Sequence, residues 1–343
     1  MVKYILTRFL LMLPTLIGIS ILVFLLVRFA PGRPQLQGAG IGGAQQNVDR
    51  ELVLARERIF GKTNLPIYQQ YWNMVGRLIT FDMGDSITEH RPVFAMIGER
   101  IGLTIRMNLI SDFLVYFISI PLGLMAARNR FAGPGRRLLF DTTPGIGLLV
   151  LYSIPGILLG YLLIMVFAEG GIISKYQGWS ALVMPIAGPH SPGSESLPLW
   201  PYLLDSLRHM ILPIATLTLT GLAFLSKLSR NSLLENLRQD YVRTARAKGL
   251  RERTVVYVHA LRNSLLALIT ILVGILPAMI GGAVIVETIF GLPGMGKLYI
   301  DAINQRDYPT VMTISMITAV LTLGAILLSD ILYAVVDPRI RYA

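Results

Sequence analysis

Apolar residues arrive along this chain in six long blocks separated by polar stretches. A bilayer hydrocarbon core about 30 Å thick takes roughly 20 apolar residues of helix, at about 1.5 Å rise each. Six blocks qualify: Phe9–Phe29, Met107–Ala126, Gly145–Ala168, His209–Ser226, Ser264–Phe290 and Thr310–Val336, the fourth being the shortest. The pattern predicts an all-α integral membrane protein with six transmembrane helices and a large loop after the first. Lys3 and Arg8 precede the first block as they would in a secretory signal. Its apolar run is longer than a signal core, however, and Arg28 stands where small residues should precede a cleavage site, so it reads as a retained anchor. Pro14, Pro121, Pro155, Pro213 and Pro277 fall inside the blocks. Each removes a backbone donor that neighbouring helices can compensate, and the prolines read either as bundle geometry or as hinges in a moving pathway. Gly156 and Gly160 form a G-x-x-x-G pair that permits close helix contact.

Composition agrees with that reading. The 343 residues are 53% hydrophobic and only 15% charged, where soluble domains carry about 25% charge. With no cysteine either, a disordered chain, a coiled coil and a disulfide scaffold are all excluded. The net charge of +11 and a pI near 10.0 raise nucleic-acid binding as an explanation, so the position of the charges matters. With the N-terminus on the cytoplasmic side, the inner segments hold seventeen basic residues against five acidic ones. The outer segments 30–104, 169–208 and 291–309 balance twelve against twelve. The short loops follow the positive-inside rule, both termini are expected in the cytoplasm, and nucleic acid is not needed.

Most candidate chemistry fails on context. Gly291-Leu-Pro-Gly294-Met-Gly296-Lys297-Leu298 nearly spells a phosphate-binding loop, but a membrane span precedes it, Leu298 replaces the magnesium-holding hydroxyl, and it lies outside the cell. Gly38, Gly40 and Gly43 match a dinucleotide fingerprint without any strand around them. His90, His190, His209 and His259 show no metal-ligand spacing, and no nucleophile sits in a recognisable elbow. Ionisable groups at membrane depth are costly and therefore suspects. Asp112, Glu287 and Asp330 qualify, each expected near a span end where water or a basic neighbour can satisfy it. Glu287 is the best functional candidate because it opens onto the outer glycine-rich loop.

The cytoplasmic stretch from Lys227 to Arg262 is too polar to cross a membrane. Leu233, Leu237, Tyr241 and Ala245, spaced four apart, predict one apolar helical face. The run Thr244-Ala245-Arg246-Ala247-Lys248 ends in Gly249, a natural helix terminator. Leu250, Thr254, Val258 and Leu261 predict a second helix. Small residues at 244, 245, 247 and 249 leave a low surface among arginines able to pair with a partner's carboxylates. A helix held by anionic lipid headgroups is the alternative, although such helices usually carry a bulkier apolar face than alanine and threonine.

Thr244 to Gly249 followed by His259-Ala-Leu-Arg262 resembles the "EAA" loop of inner-membrane permease subunits of binding-protein-dependent ABC importers, in particular the peptide/nickel branch. Gln70-Tyr71, Phe81-Asp-Met-Gly-Asp-Ser86, Ile120-Pro-Leu-Gly123, Gly291 to Gly296, Arg306-Asp-Tyr-Pro309 and Asp337-Pro-Arg-Ile-Arg341 resemble further motifs of that family, in order along nearly the whole chain. The general pattern has a glutamate where this chain has Arg243, and Leu-Pro where it has Ala260 and Leu261, which bears on individual ATPase contacts. The 169–208 segment resembles the longer version of a subgroup for larger peptides and peptide-like compounds.

The resemblance implies a type I ABC importer permease fold. Residues 1–29 would form the cytoplasmic end and first helix, 30–104 an extracytoplasmic loop region, 105–336 a five-helix permease core with its coupling loop at 227–262, and 337–343 a cytoplasmic tail. It implies a transporter subunit rather than an enzyme, in a bacterial inner membrane, with no catalytic residue, metal or cofactor of its own, ATP and Mg being bound by two partner ABC ATPase subunits. The other implied partners are a homologous second permease, an extracytoplasmic solute-binding protein and the lipid bilayer. Tyr241, Arg243, Thr244, Ala245, Arg246, Ala247, Lys248, Gly249 and His259 would form the ATPase-coupling site within the 239–262 loop. Asp112, Glu287, Gly291, Gly294 and Gly296 are the translocation or gate candidates. The alternative is a stand-alone secondary transporter or channel; those often show internal repeats and buried charge pairs, and no duplication is evident here.

Overall fold

The computed structural model describes residues 2–29, 57, 60–61, 65–129, 147, 150–176, 178–186, 188–265, 268, 271 and 282–336. The Gly38–Gly43 patch, Arg130, Arg136 and Arg137 of the first inner loop, Pro277 with most of the fifth block, and the 337–341 motif lie outside the described residues. The helices are α1 (Val2–Phe29), α2 (Ile67–Ile79), α3 (Val93–Asn129), α4 (Gly156–Phe167), α5 (Leu199–Asn236), α6 (Asp240–Ala247), α7 (Glu252–Thr254), α8 (Val284–Ile289), α9 (Met295–Gln305) and α10 (Tyr308–Val336). A π-helix, Val255–Ala260, continues α7. No strand occurs among the described residues, and the only bridges there are isolated, at Asp85–Pro92 and Ala168–Met184.

Four of these helices are long and apolar enough to cross a membrane: Leu6–Phe29, Val93–Ala127, Leu199–Asn236 and Tyr308–Leu328. They carry the first, second, fourth and sixth blocks. The fourth block, the shortest of the six apolar stretches, lies within a longer helix, since α5 runs 38 residues. Polar and aromatic residues on either side of the block continue the helix beyond the apolar core. The 30–104 segment, expected as a loop region, likewise contains α2 and the start of α3. In the third block Pro155 stands at the N-terminal boundary of α4, where its missing donor removes no helical bond.

The chain forms two compact units. The first takes in Met1–Ile105, Leu276–Val284 and Pro293–Ala343. In it α1 packs antiparallel to α10: Arg8 Nε lies 3.4 Å from Asp330 Oδ2 at one end, while Phe24 and Val27 share a core with Tyr308 and Met312 at the other. Arg8 is thus the basic neighbour that Asp330 requires. A second core joins Val93, Met96 and Ile97 of α3 to Met295 and Leu298 of α9 and Ile314 of α10. Thr104 Oγ1 accepts the Met295 N–H at 2.9 Å and so satisfies the exposed start of α9. A Cβ on Gly282 would come within 2.1 Å of the Gly296 nitrogen, and one on Gly296 within 2.7 Å of the Val284 nitrogen, so backbone packs on backbone there.

The second unit takes in Arg106–Ile275 and Ile285–Leu292. Small and hydroxyl residues let α3 and α5 approach closely. Ser111 and Thr218 hydroxyls lie 3.2 Å apart, Ser119 donates to the Leu222 carbonyl at 3.1 Å, and a Cβ on Gly123 would meet Ser229 at 2.6 Å. The expected Gly156/Gly160 contact is made with α5, at Thr220 and Thr216. At the far ends of α3 and α5, a buried cluster of Leu124, Ala127, Leu233, Leu234, Leu237, Val242, Ala245, Val255, Val256 and Ala260 ties the 236–260 loop to the membrane helices.

Candidate functional site

α5 stops at Asn236, and Leu237 to Gln239 form a turn in which Arg238 and Gln239 donate to the Glu235 and Asn236 carbonyls. α6 then begins after Gln239, with Asp240 in its first turn and Arg246 in its last, both favourable to the helix dipole. Gly249, at φ +76°, closes it: its N–H donates to Arg246 O at 2.9 Å and the Leu250 N–H to Ala245 O at 3.3 Å. This is the Schellman arrangement, which needs a left-handed residue at that position and explains the glycine.

The interruption at 237–239 resets the helical phase. The expected stripe of Leu233, Leu237, Tyr241 and Ala245 therefore holds only in part. Val242 takes the inner place in the cluster, and Tyr241 is exposed, its hydroxyl donating to Asn236 Oδ1 at 2.9 Å. The second expected pattern also shifts. The π-helix carries about one extra residue per turn, so Val255, Val256 and Ala260 are buried, while Leu250 and Val258 face outward. Ala245 is buried and holds α6 to the body. His259 is half-buried within the π-helix. Tyr241, Arg243, Thr244, Ala247, Lys248 and Gly249 are all exposed, and with half-buried Arg246 they give α6 a low, cationic outer surface.

Arg246 bridges the Gly249 turn to Glu252 through two bonds, Nε to Oε2 at 3.2 Å and Nη2 to Oε1 at 2.8 Å. This guanidinium holds the Glu252 carboxyl below the usual carboxylate range, and Arg246 is raised in turn. A depressed carboxylate stabilises the fold above its unfolded pKa of about 4.3, and the contribution is lost as pH falls through the lower folded value. Glu252→Gln is therefore expected to loosen the turn at neutral pH by under about 1 kcal/mol, since the pair is largely exposed. Hydrogen exchange over residues 240–250 checks this: amides should exchange faster in the variant at pH 7, and the two proteins should converge as pH falls through the lowered folded value of the Glu252 carboxyl.

The membrane candidates stand in several elements. Asp112, expected near a span end, lies midway along α3 and is half-buried, one turn from Tyr116, whose hydroxyl donates to the Leu268 carbonyl at 3.2 Å. Glu287, expected near a span end where water or a basic neighbour can satisfy it, is fully buried in α8. Gly291 follows α8 at φ +62°, where glycine relieves strain; Gly294 is the extended residue before α9, and Gly296 is packed against Val284.

Sequence reasoning missed Asp307. It precedes α10 as its N-cap, and its buried carboxylate accepts bonds from Ser86 Oγ, the Ile87 N–H (3.2 Å), Thr88 Oγ1 (3.2 Å) and Thr310 Oγ1 (2.8 Å). The 84–92 turn is closed on itself by Ser86 N–H to Arg91 O and Val93 N–H to Gly84 O, and Asp307 clasps it to α10. Two motif segments, Phe81–Ser86 and Arg306–Pro309, are thus one structural unit. The available signal was an Asp before Tyr-Pro, a favourable helix start. Beside the clasp a cleft of about 630 Å³ is lined by Glu89, Arg100, Lys297 and Asp301 among others, with Arg100 paired to Glu89 at 2.7 Å.

The model of the family described as "Binding-protein-dependent transport system inner membrane component" matches residues 119–342. The chain belongs to this family. The permease is 38% identical to the oligopeptide transport system permease protein AppB of Bacillus subtilis (strain 168), over 100% of both chains. It is 34% identical to the dipeptide transport system permease protein DppB of Escherichia coli (strain K12), over 100% of this chain and 99% of the relative. It is 33% identical to the peptidoglycan transport system permease protein YejB of Agrobacterium fabrum, over 99% and 98%. In fold the permease is similar to a chain of the MetNI methionine ABC transporter in an inward-facing conformation, with TM-score 0.52 and 17% identity over 72% of this chain and 98% of that one. The resemblance read from the motifs, the all-α importer-permease fold and the non-enzymatic, multi-pass inner-membrane role therefore hold.

Proposed function

We propose that the permease is one of two homologous membrane subunits of an ATP-driven importer for peptides or peptide-like solutes, with both termini cytoplasmic. The names of the relatives, covering oligopeptide, dipeptide and peptidoglycan transport, support that solute class. The observation that carries the mechanism is α6, which is cationic and low on its outer face and anchored through Val242 and Ala245 on its inner one.

In this reading two separate ABC ATPase subunits hold ATP and Mg, and a cleft on one of them receives Arg243, Thr244, Ala247, Lys248 and Gly249. Val242 and Ala245 share a close-packed cluster with Leu124 and Ala127 of α3 and with Leu233, Leu234 and Leu237. Close-packed groups transmit displacement rather than absorb it, so movement of α6 shifts the ends of α3 and α5. Repeated closure and opening of the ATPase pair then drives alternating access by rigid-body movement. An extracytoplasmic solute-binding protein delivers the solute to segments 30–104, 169–208 and 291–309. Asp112, Glu287, Gly291, Gly294 and Gly296 belong to the path.

Reconstitution tests the reading. Proteoliposomes should take up peptide only when the second permease, the ATPases, ATP and peptide-loaded binding protein are all present. Solute movement by this chain alone would contradict it. Glu287→Gln keeps the shape and removes the ionisable group, and should change uptake by about tenfold, equivalent to about 1.4 kcal/mol. Wild-type uptake at normal expression would remove Glu287 from the path.

A further inference from the structure

α2 carries more apolar surface than the protein covers. Gln70 and Met74 are buried, and Tyr71, Val75 and Leu78 pack on the core formed by Phe24, Met83 and Met312. One edge further round, Tyr68, Trp72 and Ile79, at i, i+4 and i+11, are 63%, 64% and 71% exposed, and Phe81 just beyond the helix is 72% exposed. Gln69, Asn73 and Thr80 repeat the same spacing on the next edge and are exposed as well. Going round the helix, the surface therefore runs from protein contact to bare apolar edge to polar edge.

The depth of α2 is set by α1. Tyr71 and Ser20 hydroxyls lie 2.7 Å apart, Phe24 meets Tyr71 edge to face, and Arg28 donates to Gln70. These contacts hold α2 against residues 20–28, the last part of the first apolar block. At about 1.5 Å per residue, Ser20 lies roughly 14 Å from the end of that block at Phe29. In the same stretch Leu22, Leu26 and Phe29 of α1 are exposed, and in a membrane-spanning helix such residues meet lipid. Bare Trp and Tyr beside a lipid-facing helix, backed by a polar edge, are the composition of an interfacial helix.

We infer that α2 lies just beneath the headgroups, in the leaflet on the side of the membrane where α1 ends, with the Tyr68–Trp72–Ile79 edge and Phe81 against lipid. The helix continues the lipid-facing surface of α1 and holds the start of the 84–92 turn at a fixed depth. A soluble partner or a second subunit seated on that edge is the competing occupant.

The chain has no cysteine, so Trp72→Cys and Asn73→Cys each create a single attachment point for a spin label. The permease, purified with its partner subunits, is placed in nanodiscs of phosphatidylethanolamine and phosphatidylglycerol. Collisional relaxation by oxygen and by a water-soluble nickel chelate is then measured. The label at 72 should favour oxygen and the label at 73 nickel, unchanged when binding protein is added. A label at 72 that favours nickel, or that is shielded from both, would overturn the assignment. Native Trp72 gives an independent reading in a chain with Trp179→Phe and Trp200→Phe. Lipids brominated near the headgroup should quench it more than lipids brominated at the chain end, and absence of quenching by either would overturn the inference.

Discussion

Gly249→Arg is expected to abolish solute uptake and uptake-coupled ATP hydrolysis while leaving the permease in the membrane at normal levels. Two physical effects separate these outcomes. The φ of +76° makes any side chain with a Cβ strained, at roughly 1–2 kcal/mol. That is a modest part of the 5–15 kcal/mol typical of folded proteins, and an added Cβ meets nothing within 4 Å of its own chain. The fold therefore accommodates the change. The docking surface does not, because an arginine there raises a bulky charge from the lowest point of the outer face of α6. A loss of about 100-fold or more in coupled transport corresponds to about 2.8 kcal/mol at the interface. Gly249→Asn is the informative control, since asparagine tolerates the left-handed conformation; it should retain uptake within about tenfold of wild type, or about 1.4 kcal/mol. Uptake, ATP hydrolysis and membrane abundance measured together decide the matter. Wild-type transport by Gly249→Arg contradicts docking at this turn, and equal loss in both variants with poor membrane abundance assigns the glycine to folding alone.

The sequence reveals those features whose cause is local. A lipid solvent forces long apolar runs into helices, and the first, second, fourth and sixth blocks were legible for that reason. Gly249 was legible because a helix ending in glycine has its own backbone logic. The phase of α6 was not. Leu237, Arg238 and Gln239 include no glycine or proline, so nothing in the sequence announced the break that exchanges Tyr241 for Val242. The π-helix at 255–260 was hidden similarly, because its cause is packing on the ends of α3 and α5 rather than local propensity. In the candidate site, composition found the outer face of α6, and only the folded chain separated Ala245, which anchors, from Thr244 and Ala247, which face outward. Burial of Glu287 depends on surrounding helices in the same way.

The clasp at Asp307 is the extreme case, since its partner Ser86 is 221 residues away. Asp307→Ala should be strongly destabilising. Removing the carboxylate leaves four donors without their acceptor. Three are hydroxyls that can turn elsewhere, but the Ile87 N–H is fixed by the backbone and the site is buried. Loss of bonds to a charged acceptor and stranding of one buried donor together cost about 3–5 kcal/mol. Thermal unfolding of the purified permease should shift down by about 5 °C or more. Asp307→Asn keeps one oxygen for the Ile87 N–H, and the facing hydroxyls can rotate to accept from its amide, so about 1–2 kcal/mol is expected. Ser86→Ala removes one donor to the carboxylate and also the acceptor of the Thr88 and Glu89 N–H groups, and should cost about 1–2 kcal/mol. Alanine at 307 ranks first because it alone strands the buried Ile87 N–H, which cannot reorient. A melting point for Asp307→Ala within 1–2 °C of wild type, roughly what 1 kcal/mol or less produces, would mean that the 84–92 turn is held by Met83 and Ile87 packing alone.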